Sequence, residues 1–246
     1  MKIIVNGAMG RMGSEVCRMA DEGARGACVT AKVDKFGSGD VLTSLALVEA
    51  PADVIIDFSH HSAVHEIAEY AEKHNIPVVL ATTGHTDEEL AVIDRLSQSV
   101  PVFFSANMSL GVALLAELAK QTVALFPDAD VEIIEKHHNR KLDAPSGTAL
   151  MLAKAIESVR RGMKFVYGRG GQQKREKNEI GIHAIRGGNI VGEHEILVCT
   201  DTQIITLKHE AQSRSLFAEG AIAAAEFVIG KAAGVYTMYD IAGGKN

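Results

Sequence analysis

The chain has 246 residues, 47% of them hydrophobic, and a formal net charge of −6. That is enough apolar material for two modest cores, so two domains are expected. The acidic balance, without a basic and aromatic platform, argues against nucleic acid as a partner, and no apolar run approaches the about 20 residues of a membrane span. Met1 leads straight into a strand pattern with no signal-peptide pattern, so a cytoplasmic protein is expected. Cys17, Cys28 and Cys199 are scattered and lack C-x-x-C spacing, which fits neither a disulfide framework nor a cysteine zinc site.

The apolar run at 2–6 reads as a strand and passes into Gly7-Ala8-Met9-Gly10-Arg11-Met12-Gly13. A helix follows, with Met12, Val16, Met19 and Ala20 on one stripe and Gly23 placed to close it. The strand expected at 28–33 ends at Asp34, about twenty residues beyond Gly13, which is the dinucleotide-binding arrangement. Glycines there let the backbone approach a pyrophosphate, the helix start supplies N–H groups, and the acid accepts from the adenosine ribose. Lys35 is either a partner for a 2′-phosphate or an exposed turn lysine, so NADH and NADPH both stay open.

Further βα units are expected as strand 54–58, helix 62–74, strand 77–81, helix 87–96 and strand 101–105. This alternation predicts a parallel sheet, and Thr86 with Glu89 predicts a capping box. The strand tips Asp57-Phe58-Ser59-His60, Ala81-Thr82-Thr83-Gly84 and Ser105-Ala106-Asn107-Met108 should line one crevice with the glycine loop, near the nicotinamide half. His61 and His65 stand one helical turn apart, but nothing completes a zinc pattern and no metal is expected. A helix is expected from 109–111 to about 126, with Leu114, Leu115, Leu118 and Leu125 as its core stripe.

The stretch 131–149, V-E-I-I-E-K-H-H-N-R-K-L-D-A-P-S-G-T-A, begins as a strand and ends as the first turn of a helix. It places His137, His138 and Lys141 past a strand end and just before Pro145-Ser146-Gly147-Thr148, where Ser or Thr caps the helix and its N–H groups can hold an anion. Adjacent imidazoles, a lysine and an anion site suit a small acidic substrate that needs a proton. The plainer alternatives are a surface histidine pair and an ordinary K-L-D ion pair.

Residues 168–179 are polar, basic and glycine-rich. They read as a solvated connection or as an arm bringing Arg169, Lys174 or Arg175 to an anion. Runs at 180–185, 190–199 and 203–209 are strand-like, with 186–189 as a hairpin turn; with 131–137 they predict four strands. Helices on one side would leave an apolar sheet face through which subunits pair. An alanine-rich helix at 213–228 should return to the first domain, with hinges at 105–109 and 213–215. The expected fold is α/β: a Rossmann-type parallel-sheet dinucleotide domain, 1–108 with 214–246, plus a smaller α+β domain, 109–213, with a mostly four-stranded mixed sheet.

These motifs resemble the 4-hydroxy-tetrahydrodipicolinate reductase (dihydrodipicolinate reductase) family of diaminopimelate and lysine biosynthesis. The resemblance runs through G-A-M-G-R-M-G, T-T-G, A-N-M-S-L-G-V, E-K-H-H-N-R-K-L-D-A-P-S-G-T-A, I-R-G-G-N-I-V-G-E-H and S-R-S-L-F-A-E-G-A. It implies NAD(P)H-dependent reduction of a small cyclic imine dicarboxylate with loss of water, and a homotetramer. By the same resemblance His137 is the acid/base residue, Lys141 the proton donor, and His138, Gly147 and Thr148 touch substrate. The cofactor set is Gly7, Ala8, Met9, Gly10, Arg11, Met12, Asp34, Lys35, Ala81, Thr82, Thr83, Ser105, Ala106, Asn107 and Met108. Two departures stand out: Ala81 occupies a position where the family often has Gly, and Asp34-Lys35 stands where some members have an acid followed by Arg. A different-class alternative is a dinucleotide-sensing regulatory protein without chemistry.

Overall fold

A computed structural model describes residues 1–243; residues 244–246, the end of the expected dinucleotide domain, lie outside the described residues. The first elements are β1 (Lys2–Asn6), α1 (Arg11–Asp21), β2 (Cys28–Val33), β3 (Val41–Leu42), β4 (Val54–Asp57), α2 (Val64–His74), β5 (Val78–Leu80), α3 (Asp87–Leu96) and β6 (Pro101–Phe104). There follow α4 (Leu110–Leu125), β7 (Asp130–His137), α5 (Gly147–Val159), β8 (Lys164–Tyr167), β9 (Glu179–Arg186), β10 (Gly192–Cys199) and β11 (Ile204–Ala211). The last are α6 (Ser215–Val228), β12 (Gly234–Tyr236) and α7 (Met238–Ile241). The chain divides into two compact units, Met1–Ser109 with the segment from Ser215 onward, and Leu110–Arg214.

The first unit is built on a seven-stranded parallel sheet in the order β12-β6-β5-β4-β1-β2-β3. Its inner strands are covered on both faces. Ile3, Ile4, Val54, Ile55, Ile56, Val78, Val79 and Leu80 are all fully buried, which is why these strands read as continuous β-branched runs rather than alternations. Strand order reverses at β1, so the switch point lies at the carboxyl ends of β1 and β4. The capping box on α3 is formed: Thr86 Oγ1 accepts from Glu89 N–H, and the Glu89 carboxylate accepts from Thr86 N–H. On α6 the alanines Ala218, Ala221, Ala224 and Ala225 are buried, and their small side chains let the helix lie close to α1 and to β4, β5 and β6.

The second unit holds a five-stranded mixed sheet, β11-β10-β7-β9-β8, in place of the four strands expected. The added strand, β8, is a four-residue edge strand with both ends exposed, too short to carry a clear alternation. The 186–189 hairpin is also corrected. β9 runs parallel to β7 and β10 antiparallel to it, so β7 separates the two strands that the turn connects. That turn bonds instead to the end of β7, with Gly187 N–H donating to His137 O and Asn139 N–H to Gly188 O.

Of the leucine stripe expected on α4, Leu115 is buried, but Leu114, Leu118 and Leu125 are exposed; Val112, Ala113, Ala116, Ala119 and Val123 complete the buried face. The helix packs on α5 and the sheet through Leu115 and these smaller residues, which allow closer approach than a face of leucines would. The outer face of the sheet is not the apolar face expected. Glu132, His183, Lys136, Glu193 and Lys208 lie there in ion pairs, among Ile134, Leu197 and Cys199. Arg169 and Arg175 of the 168–179 segment are bound to this sheet through Glu132, Glu179 and Asp130, while Lys174 is exposed.

A Cβ added at Gly13 would lie 2.0 Å from Gly7 O, in rigid backbone. Gly13→Ala should therefore destabilise the protein by about 1–3 kcal/mol, the usual scale of overpacking, as measured by urea unfolding.

Candidate active site

In the first unit the glycine loop joins β1 to α1. Gly7 has φ +81°, and a Cβ there would stand 2.6 Å from Phe58 O, so the loop presses directly on the chain leaving β4. Gly10 occupies the cap position of α1 in an extended conformation and has no side chain to satisfy the first helical N–H groups. Those donors, together with the helix dipole, fit a pyrophosphate. Ala8 is buried, while Met9 and Arg11 are exposed and Gly10 and Met12 half-buried. At the end of β2, Asp34 Oδ2 accepts from Met9 N–H at 3.0 Å and Oδ1 from Phe36 N–H at 3.0 Å. This fixes the carboxylate beside the loop; Lys35 next to it is exposed.

The other strand tips are held by Asp57, which is 1% exposed. Its carboxyl accepts from Asn6 Nδ2 at 2.8 Å, Ser59 Oγ at 2.5 Å and Thr82 Oγ1 at 2.6 Å, tying β1 and β5 to β4. Burial pushes its pKa up, against the pull of these donors. Thr82 thus faces inward, whereas Thr83 is exposed and Ala81 half-buried. Past β6, Ser105 Oγ donates to Asn107 O, and Asn107 Oδ1 accepts from Ser109 N–H. Ala106 is exposed and Met108 buried. Of the histidines, His61 Nδ1 bonds the Glu89 carboxylate and His60 Nδ1 bonds Ser62 Oγ.

In the second unit the organising group is one the sequence reading passed over. Glu135 points to the inner face of β7 with Val131 and Ile133, and it is fully buried. Its Oε2 bonds His137 Nδ1 at 2.5 Å and accepts from Arg186 Nη1 at 2.8 Å. Its Oε1 accepts from Arg186 Nη2 at 2.7 Å and Ser146 N–H at 2.9 Å. Burial, the largest single influence, raises its pKa; the hydrogen bonds from His137, Arg186 and Ser146 together outweigh that and hold it at about 2. The signal was available: a Glu at the core-facing parity, two residues before a histidine on the same strand face, is rare without partners.

Ser146 caps α5, its Oγ accepting from Ala149 N–H at 3.2 Å and lying 3.2 Å from His194 Nε2. Gly147 is exposed and Thr148 half-buried in the first turn. His194, on β10, is 4% exposed, and its Nδ1 has no partner among the described residues. Burial, helped by the charge of His137, pushes its pKa down to about 4. His138 is shifted down as well, first by burial and then by Arg140, Arg214, His137 and Lys141, a cationic surrounding suited to a dianion. Lys141 Nζ lies 2.8 Å from Asp143 Oδ1, so the K-L-D ion pair is formed. The structure thus brings His137 and the α5 start together through Glu135.

Models of "Dihydrodipicolinate reductase, N-terminus" and "Dihydrodipicolinate reductase, C-terminus" match residues 1–108 and 111–242. The chain belongs to the dihydrodipicolinate reductase family. The 4-hydroxy-tetrahydrodipicolinate reductase of Clostridium novyi (strain NT) is 46% identical over 251 residues, covering 100% of this chain and 99% of that one. The enzyme of that name from Caldanaerobacter subterraneus subsp. tengcongensis is 46% identical over 246 residues, covering 98% of each chain. A dipicolinate-bound dihydrodipicolinate reductase from Paenisporosarcina sp. TG-14 superposes with a TM-score of 0.82 at 26% identity, covering 98% of this chain and 99% of that chain. An amine dehydrogenase from Mycobacterium smegmatis, TM-score 0.61 at 11% identity over 97% of this chain and 95% of that chain, shares the fold alone. None of these relatives supports the regulatory alternative. The reductase family uses NADH or NADPH, and the loop geometry of the first unit fits such a dinucleotide.

Two acid-sensitive groups follow from this geometry. His194 has its pKa lowered from 6.5 to about 4, so the unfolded chain takes up the proton first and stability falls as pH drops through that interval. Glu135, lowered from 4.5 to about 2, contributes stability that is present above 4.5 and is lost as pH falls toward 2. In urea unfolding at stepped pH, His194→Gln should flatten the first interval and Glu135→Gln the second.

Proposed function

We infer that this chain catalyses the NAD(P)H-dependent reduction of 4-hydroxy-tetrahydrodipicolinate to tetrahydrodipicolinate, with loss of water, in diaminopimelate and lysine biosynthesis. The observation that carries the reading is the joining of an acid/base imidazole to an anion-binding helix start in a chain of this family. When bound, the dinucleotide would supply the hydride. Gly7, Ala8, Met9, Gly10, Arg11 and Met12 would hold its pyrophosphate, Asp34 and Lys35 its adenosine ribose, and the tips Ala81–Thr83 and Ser105–Met108 its nicotinamide half.

Hydride addition leaves the substrate one proton short, and the second unit holds the groups to deliver it. His137 serves as the acid/base residue. Lys141 is the proton donor, released from Asp143, an exposed carboxylate, when the substrate's carboxylates offer a competing partner. His138 and the N–H groups of Gly147 and Thr148 hold the carboxylates. No helix among the described residues is long and apolar enough to cross a membrane. As an enzyme of this biosynthetic pathway we place it in the cytoplasm, and the resemblance to the family implies a homotetramer.

The test is nicotinamide absorbance decay on adding the product of dihydrodipicolinate synthase, with NADH and NADPH in parallel. His137→Ala and Lys141→Ala should each lower kcat by about 10²-fold or more while cofactor affinity holds; wild-type turnover in either variant removes that residue from the mechanism. Lys35→Ala should lower kcat/KM for NADPH about tenfold relative to NADH, the scale of one charge-assisted phosphate contact. An unchanged ratio leaves Lys35 out of cofactor choice.

A further inference from the structure

We propose that Glu135 is the positioning residue of the reaction: it fixes the tautomer of His137, so that proton exchange with substrate takes place at Nε2 and nowhere else on the ring. The proposal rests on the reading of His137 as the acid/base residue and extends it to the group that governs that imidazole.

Glu135 is fully buried, and both its oxygens are occupied by donors: His137 Nδ1, Arg186 Nη1 and Nη2, and Ser146 N–H. An ionised carboxylate only accepts hydrogen bonds, so Nδ1 of His137 carries its proton in both charge states of the ring. The proton gained and lost in a catalytic cycle is then the one on Nε2. The other side of the ring agrees. A Cβ at Gly192 would lie 3.1 Å from His137 Nε2 and 3.4 Å from Cδ2, so the glycine keeps that edge clear. Gly192 is not among the glycines with positive φ, so its backbone conformation does not require glycine; the steric reason remains.

The charged and titratable groups around the ring come from every neighbouring element: Glu135 from β7, Arg186 from β9, His194 from β10 with its ring 5.2 Å away, His209 from β11 next to His194, and Lys141 from the loop. Among them Glu135 alone is anionic and in contact with the imidazole. Arg186 Nη2 also donates to Asp143 O, so the same guanidinium that saturates the carboxylate braces the loop after Lys141.

The experiment is a double-mutant cycle in the full chain with saturating NADH. Glu135→Gln places an amide N–H against the donors that now face the carboxylate. It should lower kcat by about 10²-fold, with KM for NADH unchanged, and that cost should vanish in a His137→Ala background. An equal fold-loss in both backgrounds, or wild-type kcat in Glu135→Gln, overturns the proposal. If Glu135→Gln does not fold, Gly192→Ala takes its place, since the added methyl displaces the ring by a few tenths of an ångström without touching the charge cluster. It should lower kcat several-fold while inhibition by dipicolinate is unaltered, again only when His137 is present; unchanged kcat overturns the proposal. His137→Ala turning over at the wild-type rate would instead sink the reading of His137 itself, and is seen in the single variant before any cycle is assembled.

Discussion

A carboxylate removed from water must be matched by donors or it costs several kcal/mol, and Glu135 is the most deeply buried such group among the described residues of the second unit. Its partners come from the end of β7, the end of β9 and the residue that caps α5. Groups from three separate stretches of the sequence are therefore held to one point within hydrogen-bond tolerance. The mixed order of the sheet follows the same logic: with β7 between β9 and β10, His137 is flanked by Arg186 on one side and by His194 across the ring on the other.

Asp57 in the first unit offers an instructive contrast. It is as deeply buried and as fully hydrogen-bonded, yet its pKa is raised where that of Glu135 is lowered. Its donors are the neutral groups of Asn6, Ser59 and Thr82, whereas Glu135 has a guanidinium and an imidazole. Neutral donors reduce the desolvation cost of ionisation, and charged ones overturn it. One carboxyl knits strand tips beneath the glycine loop; the other gathers His137, Arg186 and the start of α5 to one point.

The polar segment at 168–179 shows how composition can mislead. Its glycines and basic residues suited a mobile arm equally well, but Arg169 and Arg175 are engaged with Glu132, Glu179 and Asp130 on the sheet. Glu179 closes the segment itself, but nothing local marks Glu132 and Asp130, which lie 43 and 45 residues from Arg175 along the chain. Three of the four leucines expected in the α4 core failed for a related reason: periodicity identifies a stripe, but the neighbouring helix and sheet choose which stripe is buried, and here they chose Leu115 with the smaller residues.

What the amino-acid order determined alone was whatever depends on near neighbours. The glycine loop with Asp34 beyond it, the capping box of Thr86 and Glu89, the Ser146 cap and the run from His137 to Thr148 are set by contacts within a turn, a strand length or a single βαβ unit, so their spacing is legible. The parallel sheet was legible too, because strands buried on both faces must be apolar throughout. Only the tertiary structure decided that β7 separates β9 from β10, that β8 joins the sheet's edge, and that Glu135, Arg186 and His194 gather around His137. Arg186 and His194 each lie about fifty residues from their partners, and pairing across that distance is selected by the burial of a charge rather than by any local preference.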